Sequence, residues 1–148
     1  MRSKAPLTLM EQVLMILVFA LAAALCVQVF VFSDRSSRRN ELRDRAVLEA
    51  QNAAETLKAV GSSGEAESVL DGAAELLQGS VEQGVLCLEY DGDWNVCADG
   101  AEVRYRLCAR ELPTETGGLG MAELRVMPAD GTEEYICLTV AWQEVAHG

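Results

Sequence analysis

The residues of this 148-residue chain best suited to covalent or metal chemistry are its five cysteines. Four of them, Cys87, Cys97, Cys108 and Cys137, lie in the C-terminal half, each on the polar parity of an alternating run. Free cysteines favour burial, so four on an outward parity point to pairing. With Asp91-Gly92-Asp93 as a three-residue loop, matching the apolar faces sets Tyr90 opposite Trp94 and Leu88 opposite Val96. Cys87 then faces Cys97. A slip of one residue would turn Leu88 away from its partner's face. The expectation is a Cys87–Cys97 disulfide and, by elimination, a Cys108–Cys137 disulfide. Two alternatives stand beside it. Another subunit covers the outer face and leaves buried thiols, or the four hold zinc, although no C-x-x-C spacing occurs.

Other chemistry is thinly represented. Asp91, Asp93 and Asp99 could ligate calcium, but acids at such positions more often form turns. The single histidine, His147, sits one residue from the end of the sequence. There is no Ser-His-Asp set and no glycine-rich phosphate loop, so the chain reads as a non-enzyme that needs no cofactor and no metal. Glu11 is the exception to a plain surface reading. A carboxylate where an apolar helix begins is costly and calls for a reason. Its plain reading is a place among the head groups, favoured by the helix N-terminal dipole.

The elements that must position these groups begin with residues 13–32, VLMILVFALAAALCVQVFVF, which carry no charge. Twenty helical residues span about 30 Å, the thickness of a bilayer core. A secretory signal has a shorter apolar region, usually about 7–15 residues. Cys26 follows Leu25 rather than the small residue that a lipidation site needs, and reads as a small apolar side chain. Charge divides the chain: residues 1–60 carry a net +2 and residues 61–148 a net −13. So acidic a domain repels nucleic acid and anionic lipid, and no direct nucleic-acid binding is expected. Arg2 and Lys4 precede the apolar run, whereas Arg35, Arg38, Arg39, Arg43 and Arg45 follow it. Counted alone, these place the C-terminal side in the cytoplasm. Disulfides would place it in an oxidising compartment instead.

Beyond the apolar run, Leu42, Ala46, Ala50, Ala53, Leu57 and Val60 recur at helical spacing as one narrow stripe. No glycine or proline interrupts residues 7–60, so a single helix is expected there. Gly61-Ser62-Ser63-Gly64 ends it, with Ser62 and Glu65 as a capping box for a second helix carrying Ala66, Val69, Leu70, Ala73, Leu76 and Leu77. From Val85 onward the period is two, over residues 85–90, 94–98, 103–110, 122–126 and 135–142. Asp91-Gly92 and Asp130-Gly131 signal hairpins, and residues 114–120 a mobile loop. The fold class is α+β: a long N-terminal transmembrane helix whose C-terminal half packs on a four- to five-stranded antiparallel sheet.

One further pattern organises the whole. Leu7, Thr8, Leu9, Met10 and Glu11, ahead of an unbroken apolar helix, resemble the start of type IV pilins and type II secretion pseudopilins. In that family a short basic leader ends in a small residue, and a hydrophobic residue, Thr, Leu, an aliphatic and Glu follow. The closing run Leu138-Thr139-Val140-Ala141-Trp142 is similar to the last strand of some minor pilins. The resemblance implies residues 1–6 as a leader-like segment, 7–32 as the span, 33–60 as a helix packed on the sheet, and 61–148 as a small acidic extracytoplasmic domain. It implies processing between Pro6 and Leu7, although proline stands where the family has a small residue, so an uncleaved single-span relative is the alternative. It further implies that Glu11, with Thr8 beside it, sets register against a neighbouring subunit's freed amine. Expected partners are the membrane, other pilin-like subunits and assembly machinery. The protein would cross the cytoplasmic membrane once, N-terminus inside and domain outside. The competing expectation is a membrane-anchored extracytoplasmic binding or sensory module that never polymerises.

Overall fold

The computed structural model describes residues 5–64, 68–97 and 102–144, with side chains from residue 8 onward. One helix, α1, runs from Ala5 to Ser63. Pro6 falls in its first turn, where an amide N–H has no intrahelical acceptor and proline is tolerated. By contacts the chain divides into two compact units, Met1–Glu41 and Leu42–Gly148. In the first, none of the apolar stretch is buried, and Phe19, Phe30 and Phe32 are each at least three-quarters exposed. The helix is long and apolar enough to cross a membrane once.

The second unit is a helix laid on a sheet. Ala46, Ala50, Ala53, Leu57 and Val60 are buried, as the helical spacing predicts, and Leu42 is half-buried at the stripe's start. Three of these are alanines, whose short side chains let the helix lie close to the sheet. Gly64, at a φ of 67°, follows the helix end in the left-handed conformation that glycine adopts freely. A short helix α2, Val69–Leu77, follows. Its N-cap is Ser68, whose hydroxyl accepts the Asp71 N–H, rather than Ser62, which belongs to α1. It buries Leu70, Ala73 and Ala74 against the sheet, while Leu76 is exposed. Glu65 and Ala66 lie outside the described residues.

Five antiparallel strands follow: β1 Ser80–Glu82, β2 Val85–Tyr90, β3 Tyr105–Leu112, β4 Leu119–Pro128 and β5 Ile136–Gln143. They lie side by side in chain order. Alternation sends Leu86, Leu88, Tyr90, Leu107, Ala109, Ala122, Leu124, Val126, Val140 and Trp142 inward to form one core with the α1 stripe. The opposite parity carries the cysteines and most of the sheet's charge. An α+β layout of a long apolar-headed helix and an antiparallel sheet is therefore present. Two expectations differ in detail. The period of two begins only at Val85, yet Ser80–Glu82 is also a strand, turned into β2 by Gln83 and Gly84 at φ 53° and 77°. Both values are positive, as in a type I′ turn, whose twist suits a two-residue hairpin. Of residues 94–98, read as strand, Ala98 lies outside the described residues and the rest form only a single bridge, Tyr90 to Val96.

Candidate functional site

The turn after β2 decides where the cysteines fall. The Asp91 carboxylate accepts the backbone N–H of Asp93 at 2.8 Å and of Asn95 at 2.9 Å, and the Asn95 side-chain amide as well. The Asp91 N–H donates to the Asn95 carbonyl, so these two residues close the loop and Gly92, Asp93 and Trp94 form it. Trp94 takes a left-handed φ of 64° and stacks on Tyr105, with centroids 4.2 Å apart and planes within 6°. A turn followed by a left-handed residue is the usual three-residue hairpin connection. The loop thus sits one residue later than the expected Asp91-Gly92-Asp93, which moves the register by two. Tyr90 meets Val96, and the Cys97 N–H donates to the Glu89 carbonyl at 2.8 Å. A shift of two preserves facing, so Cys97 keeps its parity but lies opposite Glu89.

This corrects the expected disulfides. Cys87 is not across from Cys97; it pairs in register with Cys108. Cys108 and Cys137 are separated by a whole strand, because Cys108 pairs with Arg125, and Arg125 with Cys137. Two strand spacings are about 9–10 Å, beyond the roughly 7 Å that a disulfide can bridge between Cα atoms. All five cysteines are free thiols, and no two lie at disulfide distance.

On the outer face, Cys87, Cys108, Arg125 and Cys137 form one row across four strands. The adjacent row carries Glu89 and Arg106, joined by a 2.8 Å ion pair. Arg125 is held by Glu123 at 2.8 Å and approaches Glu134 at 3.7 Å. Burial and the neighbouring Cys87 push the Cys108 thiol up to about 11, with Arg106 acting in the opposite sense. Burial, then the charges of Asp91 and Glu89, raise the Cys97 thiol, and burial with Glu123 raises that of Cys137. Arg125 carries no signal in the sequence that joins it to the cysteines, because its place follows from strand order alone.

Of the acids considered for calcium, Asp91 spends its oxygens on the turn, and Asp99 lies outside the described residues, as does His147. Among the described residues no group of three or more His, Cys, Asp or Glu is arranged to hold a metal ion. The glycine-rich 114–120 segment is tied down rather than open: the Thr114 hydroxyl donates to the Leu119 carbonyl at 2.7 Å, and Leu119 and Gly120 already belong to β4.

The other candidate site is the start of α1. Thr8 and Glu11 lie one turn apart on the helix, both exposed in the single chain. Pro6 and Leu7 belong to the same helix, and their side chains lie outside the described residues. Next to Glu11 on the sequence, Leu14, Met15, Val18, Phe19 and Ala22 line an apolar furrow on the exposed helix surface. Compared with known protein families, characterised proteins and solved structures, the chain matches none.

Proposed function

We propose that the chain is a minor pilin-like or pseudopilin-like structural subunit of a cell-envelope filament, secretion or uptake machine. The observation that carries this reading is α1 itself. Its apolar part is wholly exposed, whereas its alanine-rich part is the core of an antiparallel domain. Helices of the first kind need lipid or neighbouring helices around them. The Leu7-Thr8-Leu9-Met10-Glu11 run at its start supports lateral assembly through Glu11, with the span in the cytoplasmic membrane and the acidic domain outside. In this reading Glu11 pairs with the amine of a neighbouring subunit, and a carboxylate at the edge of lipid gains the partner that its desolvation calls for.

A second reading, a membrane-anchored module that does not polymerise, is favoured by one observation. The expected disulfides were the counterweight to the Arg35–Arg45 cluster, and the thiols are free. The arginine count then favours a cytoplasmic domain, unlike the extracytoplasmic placement expected for such a module.

Glu11→Ala separates the two. Under the first reading the variant folds and inserts normally but no longer co-purifies with the assembled filament or its subunits. Unchanged co-assembly would remove the filament reading, and protease accessibility of the domain in sealed spheroplasts reports the side on which it lies.

A further inference from the structure

Outside the assembly residues, the densest group of nucleophiles is the cysteine row on the outer face of the sheet. Only one of its combinations has the geometry for a covalent bond. Cys87 and Cys108 are directly opposed on neighbouring antiparallel strands, with their side chains on the same face of the sheet. Directly opposed residues have Cα atoms about 4.5–5.5 Å apart, inside the 4.4–6.8 Å range of disulfides. Their Cβ atoms lie about 4.5–5.5 Å apart, so bonding asks for an approach of about 1 Å. Neither remaining partner competes. Cys97 faces Glu89, and Cys137 is screened by the strand that carries Arg125.

We propose that Cys87 and Cys108 are a redox-active dithiol that a small-molecule disulfide of the glutathione class oxidises to a cross-strand bond. The two half-buried thiols lie on the open face of the sheet, opposite the helix-covered core, and so meet solvent-borne oxidants. Cys87 loses its proton to solvent and attacks one sulfur of the oxidant. The oxidant's S–S bond breaks, one glutathione leaves as thiolate, and Cys87 carries the other as a mixed disulfide. Cys108 then gives its proton to solvent and attacks the Cys87 sulfur, and the second glutathione leaves. Two protein thiols are oxidised, and one small disulfide is reduced to two thiols. Cys108, whose proton is held more tightly by burial and by its neighbour, is the second to react. The product staples the two strands that flank the Asp91–Asn95 turn and its stacked Trp94–Tyr105 pair.

This inference does not depend on polymerisation or on which side of the membrane the domain lies; the state of the pair instead reports that side. The test uses the full chain, purified reduced in mild detergent and equilibrated with oxidised and reduced glutathione at graded ratios. Free thiols are then blocked by alkylation. Intact mass should show the loss of two hydrogens, and non-reducing peptide maps should join Cys87 to Cys108. Cys97→Ser and Cys137→Ser should close the same bond, and the oxidised protein should unfold at higher denaturant than the reduced one. Cys108→Ser should halt at glutathione on Cys87. Peptides that join any other pair, or stable glutathione on both residues without closure, would overturn the proposal. Both results are read on the native sequence, so the outcome holds even if a serine variant folds poorly.

Discussion

The indole of Trp142 offers the sharpest test of how the domain is held together. It is 4% exposed and lies between two glycines, Gly120 on the adjacent strand and Gly61 on α1. A Cβ placed on Gly120 would lie 2.3 Å from the indole Nε1 and Cε2, and one on Gly61 would lie 2.3 Å from Cδ1 and Nε1. Ordinary contact begins at 3.4 Å, so Gly120→Ala must push the ring by at least 1.1 Å toward the helix backbone. Overpacking of this kind costs about 1–3 kcal/mol. Gly61→Ala meets the same obstacle, but there better helix propensity returns up to about 1 kcal/mol, so its loss should be the smaller. Trp142→Phe removes part of the obstacle together with an N–H that has no partner among the described residues. Gly120→Ala should therefore cost less when combined with Trp142→Phe than alone, with a coupling of about 0.5–3 kcal/mol. Urea unfolding in mild detergent, followed by circular dichroism, gives each midpoint. An unchanged or raised midpoint for Gly120→Ala, or an equal loss in both backgrounds, would refute the sandwich.

Other outcomes follow from the same core and turn. Leu57→Ala, at a position with no exposure at the centre of the α1 stripe, should cost about 2–5 kcal/mol in the same unfolding assay. The Asp91 carboxyl is held below its ordinary value of 3.8, chiefly by the Asn95 backbone and side chain and further by the Asp93 N–H. A carboxyl lowered in the folded state stabilises above its ordinary value, and that contribution disappears as pH falls through the lowered one. Acid titration of hairpin amide signals by NMR should show this loss below about pH 4, and Asp91→Asn, which keeps an acceptor oxygen, should flatten it. A hairpin whose acid response is the same in Asp91→Asn would argue against the turn's role.

Much of this layout was legible in the chain itself, and the exceptions share a cause. The α1 stripe could be read because 3.6-residue periodicity places Ala46, Ala50, Ala53 and Leu57 on one side whatever they meet. Strands β2 to β5 could be read because alternation survives over six or more residues. Three residues of β1 are too short a run for alternation to show, and Gln83 and Gly84 behind them are turn residues. The face shared by the cysteines was legible for the same reason of parity. Their partners were not, because pairing depends on where a loop closes and on which strands are neighbours. A side-chain cap by Asp91 and the stacking of Trp94 on Tyr105 settle the first. The intervention of β4 between Cys108 and Cys137 settles the second. At the start of α1 the motif was visible, but a single chain does not contain the neighbour that would answer it.

Strand order equal to chain order has a kinetic consequence. Each strand can pair with the one just formed, across fewer than eight residues everywhere except the longer 91–104 connection between β2 and β3, and locally paired topologies fold quickly. The seal between helix and sheet is another matter. Gly61 must wait for Gly120 and for Trp142, which lies on β5, the last strand of the sheet in chain order. Until then the alanine stripe has only part of its cover. The nascent chain thus carries an open core until Trp142 has emerged, and truncation anywhere before Trp142 leaves that core unsealed.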